Sequence, residues 1–539
     1  METSLSHTPA ARRRPWHLLT HDRLFWLLIG LSLIPIWITR YPPLQDYPEW
    51  LLQAQILRRL NDPALGFAAH YTTLAIPVPN VGSVALIYLL NFVAPIEVAG
   101  KLALSCYVIA FSLAVVYFLR AIQARSTALE YLGVLLAYNY FLYMGYVSYL
   151  FGLALLIALL GYLWRRGFRP AGGSWLVLAL GSTGLFLTHL IPWVTLWFIC
   201  ASYVWLWRRQ FSARQLLLLA AACAPALILL LFYGQISAGQ LVIVPYPRSL
   251  PWYKLGSYLE PLVLAPNFRP WSNVAPPLLV NGGVWIGVGM AAALALRTAR
   301  QQATAAVVAL LNASALLIAA GLAVMIAVLP YWFGGLVRPD ERLTIPAVLL
   351  TLGAVRWPRP RQGYDAGLAI IVVGALIFHA ATFVRGSNEM TRLVNDLAPY
   401  VGRDEHPYFL RVPGACAPTP AGRWLPIIEP GPRAGFYLTI ARGGANRQIF
   451  ETGLVMTKTP IPFENRMPWS ALFSNLEAQL PTLQADIFPD YDTLALSGCP
   501  ELMQRVAEQL APAFIVAADP AGTRSPYLLL LRRADRSRP

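Results

Sequence analysis

A mainly α-helical, polytopic membrane protein is what this sequence predicts, and three observations carry the prediction. Of 539 residues, 57% are hydrophobic and only 13% charged, a balance that excludes soluble globular and disordered chains. The mean hydropathy is +0.52. Between residues 24 and 384, apolar runs near the length that crosses about 30 Å of hydrocarbon recur with arginine clusters between them.

Taken in order, the expected spans cover 24–40, 98–119, 127–144, 146–164, 174–190, 192–207, 215–233, 276–296, 303–332, 343–356 and 365–384, about eleven in all. Glu130 and Asn139 interrupt the third, and the tenth is short. The run Val81 to Val93 is too short to cross comfortably and reads as a juxtamembrane or re-entrant helix.

The net charge of +16 would suggest nucleic acid if read as one number. Its location says otherwise. Basic residues crowd alternate short loops, as Arg12 to Arg14, Arg120 and Arg125, Arg165 to Arg169, Arg208 to Arg214, Arg297 and Arg300, and Arg356 to Arg361. Such loops stay on the cytoplasmic side, so residues 1–23 lie inside and no nucleic-acid partner is expected. The first span has the basic flank of a signal sequence, but Tyr41-Pro42-Pro43 is no small-residue cleavage site, so it reads as an uncleaved anchor.

That topology gives a transmembrane domain over 24–384, with outer loops at 41–97 and 234–275, and an extracytoplasmic tail over 385–539. The tail is richer in proline and acid, and about 150 residues suffice for a core of its own. Its last part alternates as strand 491–497, helix 500–510, strand 513–518, turn, and strand 527–531, a small α/β unit. Cys416 and Cys499 share this tail, where an oxidising compartment lets them pair. The chain has no GxxxxGK[ST] phosphate loop and no CxxC or HExxH metal spacing, so ATP-driven transport loses its usual signature.

Chemistry is therefore sought where polar groups meet the outer membrane boundary. After the first span come Asp46 and Glu49, starting an amphipathic helix with Gln53 on the same face. Two carboxylates there suit a base for an acceptor hydroxyl, and they allow a divalent metal without requiring one. The bland alternative is a helix-start capping box. Arg338, Asp340, Glu341 and Arg342 follow the ninth span; the arginines suit a lipid-linked phosphate, and local ion pairing explains the same residues. His189 closes the fifth span, as a functional group or as a packed histidine. Aromatic and basic residues in 234–275 could line a sugar or polyprenyl site, but interfacial anchoring explains them without a ligand and is the preferred reading.

Several short segments resemble one family: Asp46-Tyr47-Pro48-Glu49, Val78-Pro79-Asn80, Tyr138-Asn139-Tyr140-Phe141 with Gly145 to Gly152, Thr188-His189-Leu190, and Tyr491-Asp492-Thr493-Leu494. With the inside N-terminus, the acidic first loop and the outer tail, the chain resembles bacterial members of the GT-C superfamily of polyprenyl-phosphate-sugar-dependent glycosyltransferases. The resemblance implies an inner (plasma) membrane enzyme that takes a lipid-linked sugar donor and a lipid or envelope-glycan acceptor, with Asp46 binding or deprotonating the acceptor. Glu49, His189, Arg338, Asp340, Glu341 and Arg342 are then substrate-binding candidates. Two other classes stay open: a non-catalytic scaffold of the same fold, and a lipid or glycan transporter, which calls for mid-membrane charge pairs and repeated halves.

Overall fold

The computed structural model describes residues 23–73, 78–123, 128–170, 173–236, 243–244, 306–330, 332–333, 336–355, 362–402, 407–412, 430–444, 446, 455–458, 491–498, 500–518 and 528–534. Most of them are helical, and four helices are long and apolar enough to cross a membrane: Ile96–Gln123, Val147–Arg165, Ala213–Gly234 and Ala366–Leu397. The expected span 276–296, nearly all of loop 234–275, and Cys416 with Cys499 lie outside the described residues.

Helix α1 (Arg23–Trp37) is followed by an extended segment and by α2 (Tyr47–Arg59); after the short α3 (Phe67–His70) comes α4 (Val81–Leu90), the short apolar helix expected there. Helix α5 (Ile96–Gln123) rises about 42 Å at 1.5 Å per residue. It packs along α8 (Val147–Arg165) over a continuous apolar seam that includes Tyr107, Phe111, Phe118, Leu153 and Leu160.

The stretch 127–144, expected as one span, is instead broken. A 3₁₀ turn at Ala128–Tyr131 leads into α6 (Leu132–Leu136), and a separate turn of helix, α7, covers Tyr140–Tyr143. Asn139 makes the break. Its Oδ1 accepts from Phe141 N (2.8 Å) and Leu142 N (3.2 Å), while its Nδ2 donates to Leu136 O at 2.8 Å and Tyr107 Oη at 3.2 Å. A side chain that competes for backbone donors ends one helix and starts another. The segment still connects two ends of the bundle: Glu130 pairs with Arg120 through Nε (2.8 Å) at one end, and Gly145 meets Asp46 at the other. Replacing Asn139 by Ala removes four buried hydrogen bonds; Phe141 N loses its acceptor, while Leu142 N keeps Asn139 O and the Tyr107 hydroxyl keeps Ala137 O. We expect a loss of about 2–4 kcal/mol, from a lost cap plus desolvated polar groups, read as a lower melting temperature of the detergent-solubilised protein.

Beyond α8 the chain forms α9 (Ser174–Thr188), α10 (Leu190–Leu206), α11 (Ala213–Ile236), α12 (Ala306–Val328) and α13 (Thr344–Ala354). Helix α14 (Gln362–Leu397) continues uninterrupted well past residue 384, the end expected for the last span, because Arg385 to Leu397 keeps an apolar stripe at Met390, Leu393, Val394 and Leu397.

The tail returns to the start of the chain. Helix α15 (Pro430–Arg442) packs on both α2 and α14. Strand β1 (Tyr71–Thr73) pairs antiparallel with Val455–Thr457, and Gly444 N donates to Leu65 O at 2.8 Å. A four-stranded sheet places Pro407–Val412 parallel to Thr493–Gly498, which pairs antiparallel with Leu528–Arg533, which in turn pairs antiparallel with Phe514–Ala518. Helix α16 (Pro500–Leu510) covers it with Leu502, Met503, Val506 and Leu510.

Candidate functional site

Asp46 is fixed by its backbone. Gln45 N donates to Tyr143 O (2.8 Å) and Asp46 N to Met144 O (3.0 Å), so the loop after α1 is laid against the turn after α7. That turn ends at Gly145, whose φ of +68° suits glycine, and a Cβ there would stand 2.5 Å from both Asp46 N and Tyr47 N. Trp50 Nε1 closes the same junction by donating to Gly145 O at 3.0 Å.

Although Asp46 occupies the residue before α2, with Pro48 in the first turn, its side chain makes no capping bond. The carboxylate instead meets Arg433, Oδ1 to Nη2 at 3.2 Å, and lies within electrostatic reach of Arg342. Asp46 is 9% exposed. Burial raises its carboxyl above the usual carboxylate range, and Arg433, then Arg342, pull it part of the way back.

Arg342 lies in a 3₁₀ turn, Glu341–Leu343, that runs straight into α13. Its guanidinium covers the Tyr146 ring at 4.9 Å and the Tyr149 ring at 5.9 Å, and Tyr149 Oη donates to its carbonyl at 2.6 Å. The side chain is 7% exposed, yet Nε and Nη1 have no hydrogen-bond partner. Buried guanidinium donors left open in this way suit an anion. Tyr146 lies within electrostatic reach of Asp46, Arg338, Glu341 and Arg342 together, so the two expected clusters, distant in sequence, meet at one place.

The remaining candidates divide. Arg338, at φ +48°, forms an ion pair with Glu341, the local pairing that the sequence left open. Asp340 is fully buried at the start of the same turn, its carbonyl accepting from Leu343 N at 3.0 Å. Glu49 is fully buried and accepts from Gln53 Nε2 at 3.4 Å, so the face shared by these two residues turns into the bundle. His189 caps α10, its Nδ1 accepting from Ile191 N at 3.1 Å, with its ring edge-on to Tyr149 at 5.5 Å. The ring thus packs beside the Arg342 platform.

Three residues were not singled out from sequence: Arg433, Tyr437 and Tyr47. Arg433 and Tyr437 lie one turn apart on α15, the first against Asp46 and the second with its ring 4.2 Å from that of Tyr41. Tyr47 and Tyr437 are buried and their hydroxyls have no hydrogen-bond partner. Tyr47 stands in the segment Asp46-Tyr47-Pro48-Glu49; for the two on α15 the only local signal is Pro430-Gly431-Pro432 ahead of Arg433, which marks a helix start and nothing more.

Around Asp46, the described donors do not fit a resident divalent metal. Among the described residues no three His, Cys, Asp or Glu side chains cluster as ligands, and the best-placed carboxylate faces two cationic arginines, which repel a metal ion.

No protein family and no curated protein sequence matches the chain. Solved structures do. The chain is similar to ArnT from Cupriavidus metallidurans bound to undecaprenyl phosphate, at 12% identity, a TM-score of 0.42, and coverage of 95% of this chain and 98% of that one. The apo state of the same protein gives 11%, 0.41, 94% and 97%. Arabinofuranosyltransferase AftD from Mycobacteria gives 12% and 0.43, with 95% of this chain covering 41% of that longer one. At these TM-scores the likeness carries no argument about the site, whose reading rests on the side chains above.

Proposed function

We propose that the protein is an inverting glycosyltransferase, moving a sugar from a polyprenyl-phosphate carrier to a lipid or envelope-glycan acceptor at the outer face of the bacterial inner membrane. In this reading residues 385–539 lie on the same outer side. The observation that carries it is the meeting, beside apolar helices, of a buried carboxylate, Asp46, with a buried arginine within its electrostatic reach, Arg342, that has two open nitrogens. A lipid-linked donor needs both: its tail stays in the bilayer while its phosphate reaches cationic donors at headgroup level.

The acceptor hydroxyl oxygen attacks the anomeric carbon from the face opposite the phosphate, and its proton passes to the Asp46 carboxylate. The bond from the anomeric carbon to the phosphate oxygen breaks, its electron pair remaining on the phosphate. The leaving group thereby gains negative charge, which Arg342 stabilises more than it stabilises the ground state. Arg342 is preferred to Arg338 for this role because Arg338 is engaged with Glu341.

Incubation of the purified protein with radiolabelled polyprenyl-phosphate sugars and envelope lipids tests the reading. Transfer is expected from the wild type. Arg342→Ala should lower kcat/KM for the donor lipid about tenfold to a hundredfold, the value of hydrogen bonds to a charged group, with part of the loss in kcat. A folded wild type that transfers none of the sugars offered overturns the proposal in favour of the scaffold reading.

A further inference from the structure

Arg433 comes from the far end of the chain, on a helix with no predicted part in the site, and it touches the one carboxylate to which the chemistry is assigned. Its contact is one-sided. A single nitrogen, Nη2, approaches Asp46 Oδ1 at 3.2 Å, while the buried Nε has no hydrogen-bond partner and the guanidinium lies 5.7 Å from the Phe436 ring. A guanidinium built to hold a carboxylate permanently presents two parallel N–H groups to its two oxygens. Arg433 does not, so its fork has capacity left for a second anion.

The local charges give that anion a size. Arg433 and Arg342 bring two positive charges to Asp46, which supplies one negative charge. The excess of one cation in a buried place matches one further monoanion, and a sugar linked to a polyprenyl phosphate is a phosphodiester with a single negative charge. Both arginines carry open nitrogens at this point. A phosphate can therefore be held from two sides, from the α13 turn by Arg342 and from α15 by Arg433.

We propose that Arg433 is a second donor-phosphate ligand that serves two anions in turn, Asp46 and the phosphate of the lipid-linked donor. The inference rests on the donor reading above and adds to it an order of events. When the phosphate draws Arg433 away, Asp46 loses its nearest countercharge while staying buried, and it becomes a better acceptor for the hydroxyl proton. The base is thus readied by the donor itself. After transfer the charges close again: the proton sits on Asp46, the leaving phosphate monoester approaches two negative charges, and two arginines face it.

A pair kept for structure alone makes different predictions from a shared ligand, and binding separates them without any transfer. The probe is a short-chain polyprenyl monophosphate, titrated in detergent against the full-length protein and followed by intrinsic tryptophan fluorescence. Arg433→Ala is expected to weaken binding at least tenfold, with Arg433→Gln as a second variant of closer volume. Asp46→Asn is expected to tighten binding several-fold, because Arg433 no longer has a competing carboxylate. In the Arg433→Ala background that gain should shrink to a small remainder.

Unchanged affinity in both Arg433 variants, with melting temperatures showing them folded, overturns the inference and leaves the donor reading in place. An undiminished Asp46→Asn gain in the Arg433→Ala background also overturns it, since relief of simple repulsion between carboxylate and phosphate then explains the gain. If the wild type binds no polyprenyl phosphate, the donor reading itself falls and this inference with it.

Discussion

Asp46→Asn should lower sugar transfer by about 10²–10⁴-fold, the range a positioned general base contributes. Asparagine keeps the volume and both backbone bonds of the site, including Asp46 N to Met144 O, so the loop has no reason to move. Helix α2 loses no cap either, because the Asp46 side chain makes none. What disappears is the negative charge, and with it the proton acceptor. The same change leaves Arg433 without its countercharge, so a modest drop in melting temperature is expected, short of unfolding. Transfer measured at saturating donor isolates the chemical step, because the variant is expected to hold the donor lipid more tightly. Activity within tenfold of wild type under those conditions would remove Asp46 from the reaction.

Gly145→Ala should be nearly as damaging, for a reason with no chemistry in it. A methyl group there must find room where Asp46 N and Tyr47 N stand 2.5 Å away, both of them backbone atoms that cannot rotate aside. The left-handed backbone adds strain of about 1–3 kcal/mol for a non-glycine residue. The Asp46 loop has to lift off the α7 turn, breaking the bonds to Tyr143 and Met144 and carrying the carboxylate away from Arg342. A shift of about 1 Å in a reacting group costs on the order of 100-fold. Gly167→Ala supplies the control: φ is +58° there but nothing stands within 4 Å of the added carbon, so it carries the strain without the clash. Transfer lost in the first and kept in the second is the expected pattern. Equal losses would mean that backbone strain, and not the seating of Asp46, is responsible.

The parts of this molecule that sequence makes legible are those governed by local rules. Long apolar runs predict α5, α8 and α11 closely, since each needs only its own composition and 3.6-residue geometry to be recognised. Strand and helix positions from 491 to 533 follow from alternation and from the apolar stripe Leu502, Met503, Val506, Leu510. The break at Asn139 is less legible because one polar residue in an apolar run is tolerated or disruptive according to its partners. Those partners include Tyr107, from another helix. Within the site, the acidic first loop and the Arg342 turn stand out as polar residues beside apolar spans. Arg433 does not, because its meaning comes entirely from Asp46, and no periodicity relates two residues so far apart in the chain.

The return of α15 and of Val455–Thr457 to the first loop also sets a timetable. Asp46, α2 and β1 emerge from the ribosome well before Arg433. At about 5–20 residues per second, the interval between them is on the order of tens of seconds. Through that time the first loop can already rest on the α7 turn, which is made soon after it, while the helix that covers it does not yet exist. A nascent chain stalled before residue 430 would therefore hold its carboxylate in place and uncovered, and the emergence of α15 is the event that closes the site.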